Sequence, residues 1–153
     1  MKRITVAVTG ASGAIYALRT LRALLMGGNR VDLIVSEYGW MLLREEGEFE
    51  GKRNAFVEFL IGRYGKGVSK EALTLHPSGD LAAPISSGSV RSDGMVVVPC
   101  SMKTLSGIAR GAAGNLIERA ADVTLKEQRP LILVPRETPM NLIQLKNLVA
   151  AAE

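Results

Sequence analysis

Short polar and glycine-containing segments follow four predicted strands of this chain, and together they have the chemistry of a site for a phosphorylated ligand. The segments are Gly10-Ala11-Ser12-Gly13, Ser36, Ser101-Met102-Lys103-Thr104 and Arg136-Glu137-Thr138. In a parallel sheet the carboxyl ends of the strands lie at one edge, so these segments are expected to meet there. Backbone N–H groups at helix starts bind phosphate oxygens, and hydroxyl groups, lysine and arginine complete such a site.

Each segment taken alone has a simpler explanation. A tight strand-to-helix turn needs the glycines of residues 10–13 in any case. Ser101 and Thr104 could cap a helix, and Lys103 could be solvated. Thr138-Pro139 is expected to begin a helix, with threonine as cap and proline in the first position. The coincidence of four strand ends nevertheless favours binding.

The first glycine-containing turn argues against a dinucleotide. Thr9, Gly10 and Gly13 match the start of a T-G-x-x-G-x-x-G motif, but Tyr16 replaces its last glycine. A tyrosine there would hinder close approach of a pyrophosphate. No Tyr-x-x-x-Lys pair is present, and the second strand ends in Ser36. A mononucleotide is therefore predicted in preference to NAD.

Glu137 is the candidate acid or base, because a carboxylate beside a phosphate site can exchange protons or stabilise developing charge. An ion pair with Arg136 is the equally weighted alternative. Cys100 is interpreted as a small buried residue and His76 as incidental. With one cysteine and one histidine in the chain, no metal site is predicted.

Composition indicates one globular domain over residues 1–153, with 47% hydrophobic and 22% charged residues. The net charge of +4 is scattered along the chain and aromatic residues are only 5%, which argues against nucleic-acid binding. No apolar run reaches membrane-spanning length, and Met1-Lys2-Arg3 leads into a strand instead of a signal peptide. With a single cysteine, a cytoplasmic location is expected.

Apolar strands alternating with amphipathic helices predict an α/β fold, a doubly wound Rossmann-like (flavodoxin-type) three-layer sandwich with a parallel sheet. Strands are predicted over 4–9, 31–36, 95–99 and 130–135, and helices over 14–26, 38–46, 52–62, 101–110, 115–128 and 139–152. Residues 63–93 are predicted to be loop with one short strand.

Several long motifs in order resemble the flavin prenyltransferase family (UbiX-type, within the flavin-dependent decarboxylase-like superfamily). They are TGASGAIY at 9–16, Ser36, ISSGS at 85–89, PCSMKTLSGIA at 99–109, NLIERAADVTLKE at 115–127 and RPLILVPRETPMN at 129–141. The resemblance implies an enzyme that joins a dimethylallyl group from dimethylallyl phosphate to N5 and then C6 of reduced FMN, without a metal. The product would serve a UbiD-type decarboxylase, as in ubiquinone biosynthesis. A trimer-based homo-oligomer, possibly a dodecamer, is implied as well.

The resemblance also implies roles for individual residues. The flavin contacts correspond to Gly10, Ala11, Ser12, Ser36, Ser101, Met102, Lys103, Thr104 and Arg136. Acid/base or charge-stabilising roles fall on Ser12 and Glu137. Glu46, Arg119 and Lys126 match positions that line the prenyl-phosphate site, some of them across a subunit interface.

One departure from the family pattern bears on activity. Family members continue for some tens of residues beyond the point matched by Glu153, with a further strand and prenyl-phosphate ligands. An FMN-binding homologue or fragment without transferase activity is therefore the alternative, and an uncovered apolar face is expected. An FMN-dependent cysteine decarboxylase of the same fold is disfavoured, because no histidine lies between Gly13 and Met26.

Overall fold

The fold is built on five parallel strands in one sheet, with helices on both of its faces. The computed structural model describes residues 1–65 and 67–153. Its strands are β1 (Arg3–Val8), β2 (Arg30–Val35), β3 (Leu73–Pro77), β4 (Gly94–Cys100) and β5 (Leu131–Pro135). Its α-helices are α1 (Ala14–Met26), α2 (Glu37–Glu45), α3 (Phe56–Tyr64), α4 (Met102–Ala109), α5 (Leu116–Lys126) and α6 (Leu142–Ala152).

The sheet has the strand order β3-β2-β1-β4-β5, and every neighbouring pair is parallel. The chain therefore moves outward from β1 to β3, then returns to the other side of β1 to form β4. A sheet that changes direction in this way leaves a crevice outside the carboxyl ends of the two central strands. The ligand site is expected above β1 and β4.

Two apolar cores cover the two faces of the sheet, which confirms the doubly wound prediction. One core packs α1, α2 and α3 against the sheet and contains the ring cluster of Trp40, Phe49 and Phe56. The other packs α4 and α5 against β1, β2 and β4. Strands covered on both faces have few solvent-facing positions, which explains their continuous apolar sequences.

The predicted elements are present, but two helix starts were wrong. The helix predicted over 52–62 is a 3-10 turn at Arg53–Ala55 followed by α3 at Phe56–Tyr64. β3 is the short strand expected within 63–93; Lys66, in the same stretch, lies outside the described residues. α6 begins at Leu142 and not at Pro139. Asn141 and Gln144 form a reciprocal capping box, with both hydrogen bonds at 2.9 Å, and this satisfies the first N–H groups of the helix better than Thr138 could. Within the described residues, no helix is long and apolar enough to cross a membrane.

An ion-pair network joins the three strands on one side of the sheet. Asp32 of β2 is 2% exposed and accepts hydrogen bonds from Arg3 Nε at 2.6 Å and from His76 Nε2 at 2.8 Å. Burial opposes ionisation of Asp32, but the hydrogen bonds from His76 and Arg3 outweigh it and hold the pKa of the carboxyl below its ordinary value. His76 therefore lies on a strand and has a structural role, because its side chain links β3 to β2.

An apolar face at the other side of the sheet is not covered. In β5 the side chains of Ile132 and Val134 are 58% and 39% exposed, although neighbouring strands are buried. On α6, Leu142 and Ile143 are 65% and 71% exposed, while the opposite face of this helix packs on α4. The uncovered apolar face expected from the resemblance is thus present on β5 and α6.

Replacing Asp32 by asparagine tests the network. We expect Asp32→Asn to lower the free energy of unfolding by about 3 kcal/mol at pH 7, because it leaves a cation and a histidine without their shared carboxylate. Since the pKa of Asp32 is lowered in the folded state, its stabilisation is present above the ordinary carboxyl pKa of about 4 and is lost as pH falls through the lower, folded value. Urea unfolding at several pH values measures both effects.

The matched control is Glu58→Gln, which removes the exposed ion pair with Lys70. Solvent and salt screen such a pair, so this variant should unfold like the parent. Equal losses for the two variants, or an unchanged pH profile for Asp32→Asn, would contradict the role assigned to Asp32.

Candidate active site

A cavity of about 580 Å³ opens at the carboxyl edge of the sheet, where the crevice was expected. Its size falls within the range of roughly 300–1,000 Å³ usual for small-molecule sites. It is lined by Gly10, Ser36, Glu37, Tyr38, Ser78, Ser101, Lys103, Thr104, Asn115, Ile117 and Glu118. Most of the exposed wall is apolar, but hydroxyl and amide side chains are placed along it, so the cavity suits a ligand with both a flat apolar part and polar groups.

The start of α4 offers backbone donors to the cavity. Ser101 caps the helix by accepting from the Thr104 N–H at 3.3 Å, and its own N–H donates to Thr9 Oγ1 at 2.8 Å. Among the described residues, the N–H groups of Met102 and Lys103 have no protein acceptor. Unpaired donors and the helix dipole favour an anion here, and Lys103 adds a positive charge.

The start of α2 is arranged in the same way. Ser36 caps it by accepting from the Gly39 N–H at 3.0 Å. Gly39 allows α2 to lie directly on β1, because a Cβ there would be 2.6 Å from the Val8 carbonyl oxygen. Gly10 does the same for the preceding turn, where a Cβ would overlap that of Tyr38. These glycines bring the two helix starts to one cavity.

The start of α1 is already occupied by a carboxylate of the protein. Glu46 Oε2 accepts from the N–H groups of Gly13 at 2.8 Å and Ala14 at 3.1 Å. The hydrogen bond from Gly13 is the main cause that keeps the pKa of Glu46 below its ordinary value, with help from Ala14, the Ser12 hydroxyl and the charge of Arg136. Because Glu46 already occupies the donors of α1, an anionic ligand would bind at the starts of α2 and α4.

The structure brings most of the predicted cofactor residues to this edge. Gly10, Ser36, Ser101, Lys103 and Thr104 line the cavity itself. Ala11 is buried in the turn, and Met102 packs partly against the α4–α5 core. Ser12 and Arg136 are grouped around Glu46, beside the start of α1.

Three further predicted residues lie outside both the cavity lining and the group around Glu46. Glu137 accepts a hydrogen bond from the Thr138 N–H at 3.1 Å. Arg119 donates to the Ser86 carbonyl oxygen at 3.0 Å and to Asp122 at 2.8 Å. Lys126 ends α5, about 15 Å along that helix from its first residue at the cavity. Their substrate and catalytic roles stay predictions.

Cys100 lies at the end of β4, near the cavity, but it is not available as a nucleophile. Cys100 is fully buried, and burial raises the pKa of its thiol to about 12, so it is not a thiolate nucleophile at neutral pH. Among residues 1–65 and 67–153, no group of three or more histidine, cysteine or carboxylate side chains is placed to hold a metal ion.

Sequence reasoning missed a second wall of the cavity. Asn115, Ile117 and Glu118, at the start of α5, face the α4 start across it. Their signal was present, because an asparagine followed three residues later by glutamate is a helix-capping pattern. Ser78 had no such signal, since it lies in the weakly patterned stretch after β3.

Comparison with known proteins agrees with this geometry. The flavoprotein family model matches residues 1–151. A flavin prenyltransferase UbiX of Halalkalibacterium halodurans is 46% identical over 145 residues, which are 95% of this chain and 68% of that protein. This chain belongs to the flavin prenyltransferase family.

Two solved structures of UbiX-like proteins superpose closely on this family member. AnUbiX (PadA1), in complex with FMN and dimethylallyl pyrophosphate, is 39% identical with a TM-score of 0.83, covering 99% of this chain and 73% of AnUbiX. A dodecameric FMN-dependent UbiX-like decarboxylase from Escherichia coli O157:H7 is also 39% identical, with a TM-score of 0.82, covering 98% of this chain and 74% of that protein. The five-stranded α/β fold is thus that of the flavin prenyltransferase family.

Gly10→Ala tests whether the close approach of the first turn to α2 forms the cavity. Its Cβ would overlap Tyr38, so the turn or α2 must move, and we expect FMN affinity to fall at least tenfold. Fluorescence titration of FMN measures this. Gly62→Ala is the control, because a Cβ on this exposed α3 glycine meets nothing within 4 Å. Normal FMN affinity in a folded Gly10→Ala protein would refute the argument.

Proposed function

We propose that this protein is a flavin prenyltransferase that binds reduced FMN in the cavity and attaches a dimethylallyl group to it. The observation that carries the proposal is the pair of helix starts, α2 and α4, which line one cavity of about 580 Å³ and whose first N–H groups have no acceptor within residues 1–65 and 67–153. Hydroxyls of Ser36, Ser101 and Thr104 and the ammonium of Lys103 surround them. This donor set fits a phosphate monoester such as that of FMN.

The transfer chemistry is assigned to the neighbouring group at the start of α1. When bound, reduced FMN supplies the nucleophilic N5 and C6 atoms to which the dimethylallyl group becomes bonded. The C1–O bond of dimethylallyl phosphate would break, with phosphate leaving with the electron pair and N5 losing its proton. The C2=C3 double bond would then take up a proton at C2 as C3 bonds to C6, and C6 would lose its hydrogen as a proton. Arg136 would stabilise this departing anion, while Ser12, whose hydroxyl donates to Glu46, would hold the carboxylate beside Arg136 in place.

Glu46 and Glu137 have distinct places in this proposal. Glu46 is held ionised against α1, so it would orient Ser12 and Arg136 and keep the phosphate from the α1 start. Glu137, half-buried after β5, is the proposed proton-transfer group. Its carboxylate has one backbone donor, Thr138, and so retains acceptor capacity for a proton of the flavin or the phosphate.

Assembly of several copies is part of the proposal. Arg119 and Lys126 lie outside the cavity of their own chain, and their side chains are 36% and 49% exposed. In a homo-oligomer they would complete the prenyl-phosphate site of a neighbouring copy. The dodecameric state of the E. coli UbiX-like protein supports such an arrangement. The prenylated FMN would then pass to a UbiD-type decarboxylase.

A protein that binds FMN without altering it is the second candidate. Its support is that Arg119, Lys126 and Glu137 do not reach the cavity within one chain. Anaerobic incubation with reduced FMN and dimethylallyl phosphate, followed by mass spectrometry of the flavin, separates the two. A flavin heavier by one dimethylallyl group establishes transfer, whereas unchanged but protein-bound FMN establishes binding alone. Parallel incubation with dimethylallyl pyrophosphate identifies the preferred donor.

Lys103→Met tests the phosphate site. Loss of a charge-assisted hydrogen bond to phosphate should weaken FMN binding by roughly tenfold to a hundredfold. Riboflavin, which lacks the phosphate, should bind with unchanged affinity. Lys2→Met is the control, because Lys2 precedes β1 and lies at the opposite edge of the sheet. If FMN and riboflavin weaken equally, Lys103 does not contact the phosphate.

Glu137→Gln tests the proton-transfer role. We expect the rate of prenyl transfer to fall at least a hundredfold, within the range that general acid–base groups contribute, while FMN affinity stays the same. Single-turnover formation of the prenylated flavin, followed by mass spectrometry, gives the rate. An unchanged rate would remove Glu137 from the mechanism.

A further inference from the structure

Glu118 is a buried carboxylate in the cavity wall to which neither the motifs nor the proposed chemistry assigns a role. It lies in the first turn of α5 and is 8% exposed. A buried carboxylate is costly unless hydrogen-bond donors surround it, so its position calls for partners. Among the described residues only the Gly114 N–H donates to it, at 2.8 Å to Oε2.

The second oxygen of Glu118 is fixed in place without a protein donor. Oε1 lies against Gly107 of α4, where a Cβ would overlap it. The backbone of Glu118 is held as well, because its N–H donates to Asn115 Oδ1 at 3.0 Å. The carboxylate therefore lies between the start of α5 and the middle of α4, and Glu118 is one of the residues that line the cavity.

The distance along α4 from Lys103 to this oxygen is comparable with the distance from the phosphate of FMN to its ribityl hydroxyl groups. Gly107 follows Lys103 by four residues, which is about 6 Å along the helix axis. If the flavin phosphate binds at the α4 start, the ribityl chain next to it, with its three hydroxyl groups, would lie along the wall that holds Glu118. Hydroxyls can donate to a carboxylate, whereas a phosphate there would be repelled.

The other acidic side chain of the cavity is not available in the same way. Both carboxylate oxygens of Glu37 are bound by the guanidinium of Arg53, and its side chain is 70% exposed. Glu118 is thus the buried carboxylate of the described cavity wall that has capacity for a ligand donor.

We propose that Glu118 is a flavin-orienting residue that accepts a hydrogen bond from the ribityl hydroxyls of FMN. The positive charge of Lys103 would attract the phosphate to the α4 start. The negative charge of Glu118, about one helical turn further along α4, would repel the phosphate from that part of the cavity. This inference rests on the proposed FMN site. The simpler alternative is that Glu118 only caps α5.

The test compares three flavins on the wild-type protein and Glu118→Gln: FMN, riboflavin and lumiflavin, which has no ribityl chain. Glutamine keeps the size of the side chain and an oxygen for the Gly114 N–H. We expect FMN and riboflavin affinities to fall together by about tenfold, and lumiflavin affinity to stay the same. Gly107→Ala, which displaces the carboxylate, should give the same pattern.

Glu127→Gln is the matched control, because Glu127 follows α5 and also packs on a glycine, Gly88, but lies outside the cavity. Unchanged affinities in Glu118→Gln, with or without a lower melting temperature, would overturn the inference and leave only the capping role. Equal losses for all three flavins would overturn it too. If the wild-type protein binds no flavin, the proposed function itself fails, and this outcome is seen before any variant is made.

Discussion

The active-site edge depends on the N–H groups at the starts of three helices, which need acceptors from outside the helices. Parallel strands followed by helices place α1, α2 and α4 with their amino ends toward the same crevice, so partial positive charges accumulate there. Glu46 neutralises the α1 start, while serines cap α2 and α4 and leave further donors free. Free N–H donors and partial positive charge therefore remain at the starts of α2 and α4, and a phosphorylated ligand can supply the missing acceptors.

The sheet holds these helix starts close enough to act as one site. Thr9, at the end of β1, donates to the Pro99 carbonyl oxygen at 2.7 Å and accepts from the Ser101 N–H at 2.8 Å. One hydroxyl therefore fixes the carboxyl end of β1 to the start of α4. Gly10 and Gly39 let α2 approach the same strand end. Small residues and one threonine, more than any charged group, set the dimensions of the cavity.

Local patterns in the sequence were enough to predict the strands, the helices and the residues directly after strand ends, such as Ser36 and Ser101. Contacts between distant segments could not be read in this way. Asp32 and His76 form a hydrogen bond although they are 44 positions apart in the sequence. The carboxylate of Asp32 in an otherwise apolar strand indicated that a partner exists, but it did not identify His76. For Glu118 the sequence showed a helix-capping pattern but not its place in the cavity wall, because this wall forms only when α5 packs on α4. At the α6 start, Asn141 competed with Thr138 as a cap, and propensity alone did not decide between them.

The two halves of the proposed chemistry differ in how far one chain completes them. The groups proposed for flavin binding, which are the starts of α2 and α4 with their hydroxyls and Lys103, all line a single cavity of one chain. Of the groups proposed for the prenyl phosphate, Ser12, Glu46 and Arg136 lie together at the α1 start, but Arg119 and Lys126 are directed elsewhere. The exposed apolar face of β5 and α6 is a further surface that one chain leaves uncovered. Flavin binding can therefore be independent of assembly, whereas our proposal for transfer requires cations from a neighbouring copy, and the two activities should separate when the oligomer is diluted.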